Sequence, residues 1–256
     1  MIRHEHWSVG EHPSLDVGVP VGTVEVRTGD AGAVHLSLES AVADDFELSA
    51  VGDHITVRHP SRWSLRGRSC RLVVTVPSGT DVTIDSASAE VRLAGSLGSV
   101  RVRTASGDIE IDASRRCEVT TASGDISCGT VDGDATITSI SGDCSVRGVG
   151  GRMEATLTSG DLRVDHCAGD LAVVSTSGSA RIGHCGGAEV SLRSLSGDVR
   201  VGLPSGIRVD ADISTLSGKA TLPPPAPTGQ PLATDRRPVR LRLKTVSGDI
   251  RVERSS

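Results

Sequence analysis

An aspartate that recurs in the tripeptide Ser-Gly-Asp is the first candidate for chemistry, because stacked carboxylates can bind calcium. Calcium requires several oxygen ligands for each ion, and the glycine and aspartate spacing of calcium-binding β-rolls is absent. The sequence favours a structural role instead, in which each carboxylate accepts backbone N–H bonds of its own turn. The aspartates concerned are Asp108, Asp125, Asp143, Asp161, Asp198 and Asp249.

Two cysteines and two histidines form a second candidate site. Cys167 and Cys185 are 18 residues apart, and each follows a histidine, His166 or His184. A metal needs ligands that converge, whereas neighbouring strand residues point to opposite faces. We therefore expect free thiols and neither metal nor cofactor, with a metal site or a strained disulfide as alternatives. The same expectation of free core thiols applies to Cys70, Cys117, Cys128 and Cys144.

Three arginines, Arg163, Arg181 and Arg200, follow one another at the repeat distance. Such a series could bind an acidic glycan, a phosphate or an acidic partner. The sequence favours a solvated face, because Asp161, Asp165 and Asp198 are close enough in sequence to pair with these arginines, and exposed pairs contribute little stability.

Composition and motifs argue against two large functional classes. A net charge of −5, a pI near 5.9 and three aromatic side chains disfavour nucleic-acid binding, which needs basic and stacking groups. The usual hydrolase, metalloprotease and phosphate-loop motifs are missing. A catalytic serine needs a positioned base, and nine equivalent serines indicate a structural role. A glycan-processing β-helical enzyme stays open as the alternative.

The elements that position these residues are repeats of about 18 residues. Three and five residues after each repeat serine the side chain is apolar, and the intervening residue is usually polar, as in Ile109-Glu110-Ile111. A second alternating segment precedes each serine, so each repeat predicts two strands joined by a Ser-Gly turn. A glycine ten residues after the serine predicts a corner with an unusual backbone angle. The repeat serines are Ser88, Ser106, Ser123, Ser141, Ser159, Ser177, Ser196, Ser217 and Ser247, and the corner glycines are Gly98, Gly133, Gly151, Gly169, Gly187 and Gly206.

These repeats predict an all-β protein, a single-stacked β-solenoid of about nine 18-residue rungs that stack in sequence order. A β-sandwich or meander is the rival fold, but the scarcity of aromatic residues indicates a narrow, aliphatic core. Residues 1–80 lack the repeat and alternate like strands, which predicts a β-rich N-terminal cap continuous with the solenoid. Residues 81–256 form the solenoid, interrupted by a proline-rich loop at 223–238.

The Ser-Gly-Asp units and the segment Leu72-Val73-Val74-Thr75-Val76-Pro77 that leads into them resemble a large bacterial family named "putative adhesin", a domain of unknown function. The resemblance covers nearly the whole chain. It implies a β-solenoid without established catalytic residues, in a family often linked to the cell envelope.

The function expected from these observations is a non-enzymatic scaffold that binds a protein or an acidic polymer, adhesin-like by resemblance. A calcium-dependent binding module is a further alternative. No segment approaches the roughly 18 consecutive apolar residues that a membrane span needs, and the N-terminus starts no apolar run. The sequence therefore predicts a cytoplasmic protein without a membrane span.

Overall fold

The structure, a computed structural model, describes residues 1–30, 32–60, 69–223 and 238–255. These ranges are all-β apart from a 3-10 turn at Ala43–Asp45, and they form two compact units, Met1–Asp132 and Gly133–Ser256. No helix within them is long and apolar enough to cross a membrane. The loop predicted at 223–238 lies outside the described residues except at Pro223 and Pro238.

Nine strands build the first unit, and the longest of them form a parallel ladder. Strand β2 pairs with β7, β7 with β8, and β8 with β9, all in parallel. Apolar residues face inward on each, as the predicted alternation requires; Val91, Ile109 and Ile126 are in register and buried. The strands are β1 (Ile2–Ser8), β2 (Ser14–Gly29), β3 (Ala33–Ser40), β4 (Glu47–Val51), β5 (His54–Arg58), β6 (Cys70–Pro77), β7 (Asp81–Ser106), β8 (Ile109–Ser123) and β9 (Ile126–Val131).

Strand β2 supplies a rung that the repeat pattern did not predict. Val21 and Gly22 lie opposite Ser88 and Ala89 of β7, so Gly22 occupies the turn position and has a φ of 139°. The missing Ser-Gly-Asp motif hides this rung, because only the glycine of the turn is retained.

The antiparallel pairings of the described chain all lie within residues 1–80. Strand β3 pairs antiparallel with β1 and β6, and β4 pairs antiparallel with β5. Strands β5 and β6 also pair with β2 and cover the edge that β7 leaves open. This arrangement protects the edge of the ladder; the cap boundary at residue 80 stays a prediction.

The second unit repeats a pair of parallel strands joined by a Ser-Gly turn. Equivalent residues of successive repeats lie opposite one another, as Ile137 does with Ala155 and Ala155 with Val173. These residues are buried, which confirms the predicted solenoid stacking and its inward columns. The strands are β10 (Ala135–Ser139), β11 (Cys144–Val149), β12 (Met153–Ser159), β13 (Leu162–Cys167), β14 (Leu171–Ser177), β15 (Ala180–Cys185), β16 (Glu189–Ser196), β17 (Val199–Pro204), β18 (Val209–Ser217), β19 (Ala220–Thr221), β20 (Val239–Ser247) and β21 (Ile250–Ser255).

The order of the last rungs corrects the prediction that all rungs stack in sequence order. Strand β16 pairs with β20, and β20 pairs with β18, so the final repeat lies between its two predecessors. The same holds for β17, β21 and β19. Ala220 and Leu222, predicted to face inward, are consequently exposed on the outermost rung.

Charge and side-chain size explain this order. Strand β20 carries a basic row whose Arg240 lies opposite both Glu189 of β16 and Asp210 of β18. Sequence order would instead place the acidic residues of β18 beside Glu189, and like charges directly opposed destabilise a sheet. Leu241 and Leu243 of β20 are also fully buried by the strands on both sides.

Glycine is required at the Ser-Gly turns because the rungs approach each other closely there. Gly160 has a φ of 116°, and a Cβ on it would overlap the carbonyl oxygen of Gly142 one rung before. The corner glycines differ from the prediction, since of these only Gly206 has a positive φ. At Gly169 and Gly187 the reason for glycine is again the backbone of the neighbouring rung, which leaves no space for a Cβ.

We expect Gly160→Ala to lower the free energy of unfolding by about 3 kcal/mol or more, because backbone strain and a clash with main chain act together. Gly206→Ala is the matched control, since Gly206 also has a positive φ, 77°, but open space around it. Strain alone should cost this control about 1 kcal/mol. Urea unfolding measures both; equal losses would contradict the role of rung approach.

Candidate binding face

The aspartates of the Ser-Gly-Asp motif form a hydrogen-bonded ladder along the stack. In Asp108, Asp143, Asp161, Asp198 and Asp249 the Oδ1 accepts the backbone N–H of the equivalent residue in an adjacent rung. This corrects the prediction that each carboxylate accepts an N–H of its own turn. The carboxylates therefore join rungs to one another, and these charge-assisted bonds are stronger than neutral ones. The donor and acceptor pairs are Asp125 to Asp108 at 3.0 Å, Asp161 to Asp143 at 2.8 Å, Ser179 to Asp161 at 2.8 Å, Asp249 to Asp198 at 2.9 Å and Lys219 to Asp249 at 2.8 Å.

Aspartates near the corners form similar bonds between rungs. The Oδ1 of Asp134 accepts the N–H of Arg152 at 2.9 Å, and the Oδ1 of Asp170 accepts the N–H of Glu189 at 2.9 Å. Sequence reasoning missed this set because no fixed tripeptide marks it. Its signal is an aspartate that directly follows a corner glycine, as in Gly133-Asp134 and Gly169-Asp170.

Buried hydroxyl groups two residues before the motif serines support the turns from inside. Thr104 Oγ1 donates to the carbonyl oxygen of Ser106 at 2.8 Å, and Thr121 Oγ1 donates to that of Ser123 at 2.9 Å. Both threonines are buried. A buried hydroxyl needs a partner, and the turn carbonyl provides it.

The ladder bears directly on the calcium alternative. The ladder bonds already use one lone pair of the Oδ1 atoms concerned, and they account for the recurring aspartate without an ion. Among the described residues, no group of three or more His, Cys, Asp or Glu side chains is placed to hold a metal ion. The geometry of the motif thus supports its structural use.

The arginines predicted to stack do so, and the column is longer than the sequence indicated. Arg163 lies opposite Arg181, Arg181 opposite Arg200, and Arg200 opposite Arg251. All four side chains point outward and are exposed. Arg251 escaped sequence reasoning because stacking in sequence order placed the rung of Ser217 between it and Arg200.

The ion pairs of this column are uneven. Arg163 contacts Asp165, two residues away on its own strand, at 2.9 Å. Arg181 is 3.9 Å from Asp161, and Arg200 is 3.8 Å from Glu253. The predicted pairing of this face with acids is thus tight at Arg163 and loose at the next two rungs.

The two cysteine and histidine pairs separate as the strand alternation predicts. Cys167 and Cys185 lie opposite each other in register and are fully buried. His166 is exposed, and its ring centroid is 6.0 Å from that of His184. The hydrogen bond with the Cys185 thiol, together with burial, raises the pKa of Cys167 well above its usual range. None of the six cysteines forms a disulfide, and all are buried.

A cleft of about 350 Å³ in the first unit could hold a ligand. Arg58, His59, Asp85 and Arg103 lie among its lining residues. Asp16 accepts a hydrogen bond from Arg58 at 2.5 Å and raises the pKa of that guanidinium. Glycoside hydrolysis normally takes a pair of carboxylates, whereas Asp85 is the one carboxylate among the described lining residues.

A family model described as Toastrack DUF4097 matches residues 14–253. No curated protein sequence matches the chain. A Bacteroides fragilis crystal structure named a putative adhesin is similar, with a TM-score of 0.49 and 11% identity over 98% of this chain and 97% of that one. A Parabacteroides distasonis structure named a putative lipid binding protein has a TM-score of 0.46 and 9% identity over 100% and 97%. A putative adhesin from Parabacteroides merdae has a TM-score of 0.41 and 8% identity over 100% and 96%.

We expect Asp198→Ala to lower the free energy of unfolding by about 1–2 kcal/mol, because the N–H of Asp249 loses its acceptor. Asp198→Asn is the matched control, since its side-chain oxygen can still accept that bond. Chemical unfolding at neutral pH compares the two. A loss that is as large for asparagine as for alanine would show that the charge, and not the ladder bond, stabilises the stack.

Burial raises the pKa of the Cys70 thiol to about 11. The unfolded thiol ionises near its usual pKa of about 8.5, so between that pH and about 11 the folded state holds one more proton at this site. Stability should therefore fall as pH rises through this window. Cys70→Ala should remove a slope of about 1.4 kcal/mol per pH unit there, as measured by unfolding at several pH values. At pH 7 the free energies of unfolding of the natural chain and Cys70→Ala should differ only by the packing lost at residue 70. Parallel plots of stability against pH for the two proteins above about pH 8.5 would contradict the prediction.

Proposed function

The chain belongs to the Toastrack DUF4097 family, and from this premise we propose that it is a non-enzymatic β-solenoid scaffold whose outward faces bind a partner protein. The match confirms the family that the repeats resemble. One observation carries the proposal: the repeated Ser-Gly-Asp motif forms hydrogen bonds between successive rungs. The repeats build a rigid stack, and the variable outward residues remain for recognition.

The local chemistry supports a binding role over catalysis. A catalytic serine needs a base within hydrogen-bond reach. Ser106 Oγ instead contacts Ser88 Oγ at 3.0 Å, and Ser123 Oγ donates to the carbonyl of Ala105 at 3.4 Å. The lining of the cleft in the first unit likewise lacks the carboxylate pair of a glycosidase among its described residues. These contacts favour the scaffold over the glycan-processing enzyme and the calcium-dependent module.

We also propose that the chain works in the cytosol. Its six cysteines are buried and form no disulfide, and cysteines without disulfides are usual in a reducing compartment. In the cytosol, an adhesin-like role would mean that an outward face of the solenoid binds a partner protein. Nucleic acid is a poor candidate partner, because the chain is acidic and three aromatic residues offer almost no stacking surface.

A photoreactive amino acid at outward positions of the second unit tests this function in intact cells. Thr156 and Arg163 are exposed on two successive strands, β12 and β13, and Glu110 is an exposed control position in the first unit. We expect one defined protein to cross-link at a subset of positions, and to bind the purified chain saturably with its mass unchanged. Fractionation of the same cells reports the location.

Two outcomes would contradict the proposal. The first is that the photoreactive variants melt at the same temperature as the natural chain but do not cross-link to any one protein reproducibly, which would leave the outward faces without a partner. A partner or glycan that is shortened or otherwise modified by the purified chain would establish catalysis instead.

A further inference from the structure

We propose that the outward arginines of β15, β17 and β21, namely Arg181, Arg200 and Arg251, form a binding site for an acidic segment of a partner protein. The inference rests on the proposed scaffold function and names the chemistry of the partner. Three features of the second unit support it: the regular spacing of the arginines, the lack of close ion pairs at them, and the narrowness of the positive strip.

The spacing follows from the parallel register. Arg181, Arg200 and Arg251 lie opposite one another on adjacent strands, so their backbones are separated by about 4.8 Å from strand to strand. Like charges in this position repel. A ladder of three guanidinium groups is thus unfavourable by itself and gains stability when an anion lies across it.

Arg181 lacks the two flanking acids that Arg163 has on the preceding rung. Arg163 is flanked by Asp161 and Asp165, two residues away on either side. Arg181 has Ser179 and Gly183 in the equivalent places. Gly183 leaves no space for a side chain, because a Cβ there would lie 2.6 Å from the carbonyl oxygen of Asp165.

The next arginine repeats part of this pattern. Arg200 is followed by Gly202, at the position that Asp165 holds beside Arg163, and its nearest carboxylate is 3.8 Å away. Arg251 is flanked by Asp249 and Glu253, but it forms no ion pair with any described residue. Arg92 and Arg152 differ from it, because each has a close acid on its own strand, Glu90 at 2.7 Å and Glu154 at 2.8 Å. The three arginines therefore lack close ion pairs with described residues, although acids lie near them in the sequence.

A shallow depression of about 80 Å³ lies among these side chains. Its lining includes Arg181, Arg200 and Arg251 together with Ser179. Asp198 and Asp249 border the depression as well, and their Oδ1 atoms accept backbone N–H groups of the ladder. Neither carboxylate forms an ion pair with the three arginines in the described structure, so the guanidinium groups keep donors for a ligand.

The surroundings favour carboxylates on a narrow chain. Guanidinium groups bind carboxylates through two parallel hydrogen bonds. Gly183 and Gly202 beside the column offer no ring on which a base or a sugar could stack. A flat anionic membrane would also meet Asp198 and Asp249 along the strip, whereas an extended acidic peptide can follow the arginines alone. A cytosolic scaffold meets such segments in other proteins.

The test uses the full chain and a fluorescently labelled oligoglutamate peptide, with binding followed by anisotropy. We expect saturable binding that weakens as salt is added. Arg181→Gln and Arg200→Gln should each weaken it about tenfold, as expected when a bidentate charge-assisted pair is lost. Arg92→Gln is the matched control, since the Arg92 and Arg181 side chains are both 56% exposed, and it should bind like the natural chain.

Ser179→Asp provides a second variant whose two effects have opposite signs. The new carboxylate would stand beside Arg181 and compete with the peptide, so affinity should fall. The same carboxylate would restore the acceptor that the ladder lacks at this rung, so the melting temperature should be maintained or raised. A loss of binding in this variant cannot be attributed to unfolding.

Several results would overturn the proposal. The first is the absence of saturable peptide binding, and the second is an Arg92→Gln variant that loses as much peptide affinity as Arg181→Gln. The third is tighter binding of polygalacturonate, single-stranded DNA, inorganic phosphate or anionic vesicles through the same arginines. A cross-linked partner whose binding survives Arg181→Gln and Arg200→Gln would refute this site and leave the scaffold function standing. The absence of both a cross-linked partner and peptide binding would refute both.

Discussion

The close approach of successive backbones at the Ser-Gly turns is the constraint on which the other features depend. Five consecutive turn glycines, from Gly107 to Gly178, have φ values between 116° and 118°. A Cβ on Gly107, Gly124, Gly160 or Gly178 would overlap a backbone carbonyl of the preceding rung. Because only glycine fits, each repeat must bring its turn to the same place. The inward aliphatic columns, the aspartate ladder and the outward arginine column are all consequences of that fixed registration.

Much of this architecture is readable from the sequence because a period-two alternation and a repeated glycine are local signals. The inward columns, exemplified by Val164 and Ile182, and the buried cysteines were predicted on that basis. The order of the last rungs was wrong, since a repeat records which residues are equivalent but not which rungs are neighbours. The opposition of Arg240 to Glu189 and Asp210 and the burial of Leu241 and Leu243 favour the observed order. The rung in β2 was hidden for a related reason, because Gly22 is all that remains of its motif.

The candidate site shows a sharper limit of sequence reasoning. Arg163, Arg181 and Arg200 could be placed in one column from their spacing, but the counter-ions could not. Arg163 contacts Asp165, two residues along its own strand, at 2.9 Å, whereas Arg181 lies 3.9 Å from Asp161 of the preceding rung. Such distances depend on strand twist and rotamer, which residue spacing does not reveal. The aspartates were likewise assigned to their own turns, whereas the structure uses them between rungs. The regular residues of a repeat specify the stack, and departures such as Ser179 distinguish one rung from the next.

The insertion of the final strand pair between two earlier ones affects how the chain can be assembled as it is made. Strand β18 has β20 as its partner in the described structure, and β20 is synthesised later. During translation, the rungs before β18 can add one after another as they leave the ribosome. Strands β18 and β19 must wait for residues beyond 238, so a nascent or truncated chain that stops short of β20 would leave both β16 and β18 without the strand that lies between them.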